Sequence, residues 1–261
     1  MKIHVFASGS GGNCMLLSDR DTHLLIDAGI SMRRVLASLH AAGLDIQDIG
    51  GVLITHEHSD HVSGLKMLLK YYALPLYAPH TVASRLCGML PEAGERMNVI
   101  PTGEAFRIGR LTVRAFHTPH DTDESVGYRV EGRGVFALAT DMGHVTDEVL
   151  DGLLGADTVL IESNHDLRML ADGPYPVQLK RRILSGRGHL SNTDCAALAE
   201  KLVAHGTETV ILGHISRENN RPELAMTETG RLLRGSNARL YCAPPWGCLS
   251  VEVKERSACS M

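Results

Sequence analysis

The chain has 261 residues, enough for one large domain or two small ones. Apolar residues make up 44% and charged residues 21%, so a substantial core is expected and wholesale disorder is excluded. The net charge of −4 gives no global basic signature, so any nucleic-acid contact must come from a local patch.

No apolar run is long enough to span a bilayer. Met1-Lys2-Ile3-His4-Val5-Phe6 goes straight into a strand-like pattern without a signal-peptide core, and a cytoplasmic protein is expected. The six cysteines contain no C-x-x-C pair and are expected to be free thiols, with Cys14 and Cys195 as buried filler.

Residues 3–6 read as a strand, followed by the glycine-rich stretch Ala7-Ser8-Gly9-Ser10-Gly11-Gly12-Asn13. Its backbone N–H groups allow close approach of a phosphate or carboxylate, and a tight hairpin turn fits it equally well. Residues 14–18 and 22–26 read as the next strands. Asp27 ends the second of them, where a carboxylate needs partners. A helix over 31–42 is expected, capped by Ser31 and ended by Gly43. Gly51-Val52-Leu53-Ile54 reads as a short buried strand, and Thr55-His56-Glu57-His58-Ser59-Asp60-His61 follows it. Three histidines and an aspartate at a strand-to-helix turn can converge on one small volume. Neutral imidazole and ionised carboxylate are what a zinc-type cation takes as ligands.

A helix is expected over 62–73, with Gly64 near its start. Residues 74–77, 99–100, 105–108 and 111–116 read as strands, and 81–89 as a helix capped by Thr81. In Phe116-His117-Thr118-Pro119-His120-Asp121 two histidines compete for one metal position. The buried strand 135–140 leads into Asp141, and 158–162 ends in Glu162 with His165 just beyond. For Glu162 and His165, support of a metal ligand and a satisfied polar turn are both open. Lys180-Arg181-Arg182 and Arg187 form the densest basic run, which by itself reads as a solvated helix face. It leads into Gly188-His189-Leu190-Ser191, and Ser191-x-x-Asp194 caps a helix over 192–205. His189 thus stands just before a helix N-terminus, a favourable place for an anion. Strand 209–213 precedes His214, and Arg217 and Arg221 can meet phosphate. A helix over 222–234 and strands over 238–242 and 248–253 follow, and 255–261 is expected to be a frayed tail.

The H-x-H-x-D-H pattern of residues 56–61, with further matches spread over nearly all of residues 1–254, resembles the metallo-β-lactamase superfamily. The chain is most similar to the YycJ/WalJ-like, exonuclease-like group, and more distantly to ribonuclease Z-type phosphodiesterases. The resemblance implies an α/β fold, a four-layer αββα sandwich of two mixed β-sheets flanked by helices, as a single domain over 1–254. It implies that His56, His58 and His120 bind one metal ion, that Asp60, His61 and His214 bind a second, and that Asp141 bridges them. The family pattern selects His120, because a polar stretch leads from it to Val126-Gly127-Tyr128, and leaves His117 as the fallback. Asp27 is expected to support the ligand loop from behind. Ser10 and Asn13, in a stretch similar to the group's G-S-G-x-x-G-N-C, and Arg217 are expected to bind substrate. The implied cofactors are two divalent transition-metal ions, Zn2+ foremost, with Mn2+ or Fe as alternatives. Asp60 and His189 are the expected catalytic residues. His189-x-Ser191 is similar to the H-x-S/T motif of the ribonuclease Z-like enzymes, which makes His189 the candidate acid for the leaving oxygen.

The implied function is a binuclear hydrolase, a phosphodiesterase or nuclease of the 5′-to-3′ DNA exonuclease kind. DNA stands ahead of RNA as partner, no membrane is involved, and a dimer is compatible with the sequence. Two other classes stay in view. One is a carbonyl hydrolase of the glyoxalase II kind acting on a thioester or lactone, against which the chain has Thr118-Pro119-His120-Asp121 where thioesterases show G-H-T-P-G-H. The other is a non-hydrolytic dioxygenase-like or sensor protein, against which Asp60 argues as a second-ion ligand.

Overall fold

The computed structural model describes residues 1–255. Apart from Glu255, the expected tail, with Cys259 in it, lies outside the described residues. In chain order the strands are β1 Lys2–Ala7, β2 Cys14–Asp19, β3 Thr22–Ile26, β4 Ile49–Leu53, β5 Leu76–Pro79, β6 Met97–Ile100, β7 Ala105–Ile108, β8 Leu111–His117, β9 Val126–Glu131, β10 Val135–Ala139, β11 Thr158–Glu162, β12 Thr209–Gly213, β13 Arg239–Cys242 and β14 Leu249–Glu252. They build two seven-stranded sheets, ordered β14-β1-β2-β3-β4-β5-β6 and β13-β12-β11-β10-β9-β8-β7. The sheets share one plan. Four strands run antiparallel, β14 through β3 in one sheet and β7 through β10 in the other. Three more are then added in parallel, β4 to β6 and β11 to β13.

Side chains alternate across a strand, so each sheet buries two faces. Leu24, Ile26, Leu53, Tyr128, Phe136 and Leu138 meet between the sheets. On the outer face of the first sheet, Leu25, Val52 and Ile54 pack on Val35 and Leu39 of the helix Met32–Ala41 and on Leu65 and Leu68 of the helix Leu65–Tyr71. On the outer face of the second, Ala137, Val159, Ile161 and Val210 pack on Leu198 and Leu202 of the helix Asn192–Ala204 and on Val149 and Leu153 of the helix Asp147–Leu153. The αββα sandwich follows from this double burial, which is also why the central strands β10, β11 and β12 are buried along their whole length.

Several boundaries differ from the sequence reading. The helix expected over 62–73 is two pieces, Ser59–Val62 and Leu65–Tyr71, and the first lies inside the histidine cluster. The break falls at Gly64, whose amide donates to the Ala28 carbonyl at 2.8 Å. A Cβ there would stand 2.1 Å from the Ile30 carbonyl oxygen, so only glycine fits. Ser31 takes the expected cap position but makes no side-chain cap bond. Thr81 is not a cap. The helix runs His80–Met89 from Pro79, and the Thr81 amide donates to Glu124 at 2.8 Å. Ser191 does cap the helix Asn192–Ala204, accepting from the Asp194 amide at 3.1 Å. Cys14 and Cys195 are buried free thiols, and burial pushes both thiols up.

Candidate metal centre

The polar residues singled out above stand at the carboxyl ends of the strands, where the two sheets meet. Asp27 follows β3, the histidine cluster follows β4, His120 lies between β8 and β9, and Asp141 follows β10. Glu162 ends β11, and His214 follows β12. Three of these leave their strands through the left-handed region, Asp27 at φ 57°, Asp141 at φ 57° and His214 at φ 53°. That conformation costs a non-glycine residue about 1–3 kcal/mol and persists only where the surroundings hold it. Here it turns each side chain out of its strand and into the cleft.

The first set of donors is three imidazoles. His58 Nδ1 lies 3.1 Å from His56 Nε2 and 3.3 Å from His120 Nε2. The nitrogens around a tetrahedral ion bound at ordinary metal–nitrogen lengths are spaced about 3.4 Å apart. Burial holds His56 well below the usual imidazole range, with His61 adding to it, and burial likewise lowers His120 against the pull of Asp141. Both are therefore neutral at pH 7, the form a cation takes. The Gly188 carbonyl lies 3.3 Å from His120 Nδ1, so that nitrogen carries the proton and Nε2 is left for the cluster. His117 is elsewhere. It is half exposed, and its ring meets Glu148 at 3.0 Å.

The second set is Asp60, His61 and His214. His61 Nε2 is 3.5 Å from Asp60 Oδ2, and His214 Nε2 is 3.6 Å from the same oxygen. Asp141 stands between the sets, with Oδ2 at 3.3 Å from His61 Nε2 and Oδ1 at 3.4 Å from His214 Nε2 and 3.9 Å from His120 Nε2. Asp141 Oδ2 and His214 Nε2 are buried and make no hydrogen bond with the protein. Buried polar atoms rarely go without a partner, and two such atoms within one His/Asp cluster fit a bound cation. Burial opposes the charges of His61 and Asp141, but Asp27 and then Asp141 carry His61 up to about 10, and His214 and then His61 hold Asp141 well below the carboxylate range.

The rings are aimed by carboxylates behind them. His61 Nδ1 donates to Asp27 Oδ2 at 2.7 Å, and Asp27 also accepts from the Thr55 amide and hydroxyl at 2.9 Å each. Asp27 thereby holds the Nδ1 proton of His61, and Nε2 is the ring nitrogen turned to the cluster. Glu162 does the same on the other side. Its Oε1 lies 3.1 Å from His214 Nδ1 and 2.7 Å from His189 Nδ1, while Oε2 accepts from the Met142 and Leu190 amides. One fully buried carboxylate thus ties three loops together. Burial works against its ionisation, but His189 holds it down to about 2. In turn Glu162 outweighs burial and raises His189. Glu162 carried the same sequence signal as Asp27, an acid closing an apolar strand, and sequence alone could not separate support from a satisfied turn. His165 is buried with neither ring nitrogen hydrogen-bonded.

Ser10 and His189 line one cavity of about 180 Å³ together with Tyr175, Asn164 and Arg182. Tyr175 carried no sequence signal. Asn13 lies deeper. Its amide nitrogen is 3.0 Å from His61 Nε2 and 3.3 Å from Asp60 Oδ2, and its oxygen accepts from the Gly9 amide at 2.8 Å. It braces the glycine loop against Asp60 and His61. Arg217 sits outside the cavity with its guanidinium 3.9 Å from the Trp246 ring centre. The basic run is largely committed to the protein itself. Lys180 donates to the Ala171 carbonyl at 2.6 Å, Arg182 pairs with Asp121, and Arg187 donates to the His120 carbonyl at 2.6 Å.

The β-lactamase superfamily domain matches residues 22–215. The chain is 37% identical over 233 residues to the exodeoxyribonuclease YycJ of Bacillus anthracis, covering 88% of each sequence. It is 36% identical over 256 residues to the exodeoxyribonuclease WalJ of Streptococcus pneumoniae, covering 94% of each. In structure it is similar to the metallo-β-lactamase fold protein YhfI of Bacillus subtilis, with a TM-score of 0.74 at 15% identity over 96% of this chain and 98% of that one. Among the described residues no helix is long and apolar enough to cross a membrane. Fold and His/Asp cluster together indicate divalent-metal binding. The chain belongs to the metallo-β-lactamase superfamily.

Proposed function

We propose that the chain is a two-metal phosphodiesterase that degrades DNA from a 5′ end, acting in the cytoplasm. The observation that carries this reading is the arrangement of the donors. His56, His58 and His120 form one group that could hold a metal and Asp60, His61 and His214 another, Asp141 lies within 4 Å of His61, His120 and His214, and His189, outside both groups but close to Asp141, faces a cavity. Similarity along most of the chain to relatives named exodeoxyribonucleases supports DNA as the substrate.

In this reading His56, His58 and His120 would hold one ion, Asp60, His61 and His214 would hold the other, and Asp141 would serve both. Zn2+ suits the donors best, and Mn2+ or Fe is compatible. The ions supply Lewis acidity, which brings the pKa of a water towards neutrality and offsets charge on the phosphoryl oxygens. The protein's own groups do the rest. Asp27 and Glu162 keep the Nδ1 protons of His61 and His214, so that the Nε2 lone pairs face inward. Glu162 also favours the protonated form of His189, which can then give a proton to the leaving oxygen. Ser10 lines the same cavity and can contact a phosphate there.

The test is to incubate the purified protein with Zn2+ or Mn2+ and 5′-phosphorylated single- and double-stranded DNA and RNA, then map the product ends. Mononucleotides released stepwise from the 5′ end of DNA are expected. Turnover of a thioester with no cleavage of any nucleic acid would overturn the reading in favour of a carbonyl hydrolase.

A further inference from the structure

We propose that Trp246 is a stacking subsite for an unpaired base of the substrate strand, with Arg217 and Arg34 placed to take the flanking phosphates. The inference rests on the phosphodiesterase reading and deepens it, because it assigns the substrate a single-stranded end.

Trp246 is the chain's sole tryptophan, and 54% of it faces solvent. It stands in the rigid turn Pro244-Pro245-Trp246-Gly247, where Gly247 takes φ 114° and the Pro244 carbonyl accepts from the Ser8 amide at 3.2 Å. The turn is thus pinned to the glycine loop. The Arg217 guanidinium lies 3.9 Å from the ring centre and that of Arg34 lies 5.3 Å from it. The ring is braced by cations rather than buried. Among the described residues neither arginine is paired with a carboxylate, whereas Arg85, Arg110, Arg114, Arg133 and Arg182 all are. On a chain of net charge −4, two guanidiniums without a carboxylate partner beside an exposed indole make a local site for an anion with a π-face.

Position connects this patch to the metal centre. A Cβ added at Gly11 would lie 2.6 Å from the Arg217 guanidinium and 3.8 Å from the indole, so the glycine leaves room for both. One residue earlier, Ser10 lines the cavity that holds His189. Two residues later, Asn13 bonds Asp60. A strand whose scissile phosphate sits at the cavity therefore meets the indole by crossing the glycine loop. Aromatic platforms take any base, since every base has a π-face, but the base must be out of its duplex.

The experiment is a titration with a 5′-phosphorylated, phosphorothioate-linked oligodeoxythymidylate, which resists cleavage. Binding is read both by the anisotropy of a label on the oligomer and by tryptophan emission, which reports Trp246 alone. Saturable quenching is expected. Kd should rise about ten-fold or more in Trp246→Ala and much less in Trp246→Phe, which keeps a ring. A blunt duplex of equal length should bind wild type and Trp246→Ala alike. Equal oligomer affinity in wild type and Trp246→Ala, or binding by anisotropy without quenching, would overturn the subsite. Hydrolysis of bis(p-nitrophenyl) phosphate separates the two levels. If wild type hydrolyses that ester while Trp246→Ala binds the oligomer like wild type, only the subsite fails. If wild type neither binds the oligomer nor hydrolyses the ester, the phosphodiesterase reading fails and takes the subsite with it.

Discussion

Gly29→Ala is expected to disable the centre without touching a charged residue. Gly29 follows Asp27 and Ala28 and lies against the backbone of the histidine cluster. A Cβ built there falls 1.6 Å from the Asp60 carbonyl oxygen and 2.8 Å from the Asn13 amide nitrogen. A carbon needs roughly 3.3 Å to meet an oxygen. The shortfall is about 1.7 Å, and both neighbours are backbone, so no flexible side chain can absorb it. The Asn13 amide also donates to that same carbonyl at 2.7 Å, which pins it in place. Metal sites tolerate displacements of only about 0.2 Å. Even if half the shift is taken up elsewhere, Asp60 leaves the second donor set. Overpacking of this kind costs about 1–3 kcal/mol, and each kcal/mol lowers Tm by about 2–4 °C in a chain of this size. The assays are elemental analysis and thermal unfolding with and without added metal. The variant should lose close to one ion per chain. Its Tm deficit should widen when metal is added, because wild type gains more from binding. Gly88→Ala is the control. Gly88 lies in the helix His80–Met89 with open space around its Cβ position, and alanine there should be neutral or stabilising by up to about 1 kcal/mol. Full metal content and an unchanged Tm in Gly29→Ala would refute the proposed role of Asp60.

Three more expectations follow from the same geometry. Asp141→Ala should weaken both ions and abolish turnover, while Asp60→Ala should empty mainly the second site, and loss of the same single ion in both would remove Asp141 as the bridge. His189→Ala should keep its metals and lower kcat by about 10²–10⁴, with much less effect on a nitrophenyl phosphodiester, whose leaving group needs little protonation; an equal loss on both substrates would make His189 a positioning residue. Asp19 is buried, and although burial raises its pKa, the Arg133 hydrogen bond at 2.6 Å and the chain's amino group at 3.7 Å keep it below the usual carboxylate range. A lowered folded pKa stabilises fully above the unfolded value of about 3.9 and is lost as pH falls through the folded one. Asp19→Asn should therefore be less stable than wild type by about 1–3 kcal/mol at pH 7, with the gap closing below pH 4; a gap that does not change with pH would rule out the ion pair as its cause.

Much of the fold was legible because the central strands β3, β4, β10, β11 and β12 carry an apolar run followed closely by a polar residue. The same punctuation singled out Asp27, Asp141 and the cluster after Ile54 as candidates. What the sequence could not hold was partnership between distant segments. Glu162 differs from an ordinary strand-ending acid only in having His189 and His214 beside it, 27 and 52 residues away. The basic run looked free, yet Arg182 is met by Asp121 from 61 residues away. Helical periodicity across 62–73 concealed the break at Gly64, whose amide bonds the Ala28 carbonyl of another loop. Trp246 was passed over for the same reason. Its meaning comes from Arg34 and Arg217, which only the fold brings to it.

The central claim is that two ions act together at one site. Stripped protein titrated with Mn2+ or Zn2+, with bound metal and cleavage of a 5′-phosphorylated oligodeoxynucleotide read on the same samples, tests it most directly. Two ions per chain should bind, and cleavage should appear with the second equivalent. Full cleavage at one ion per chain, with no second ion bound, would contradict the claim.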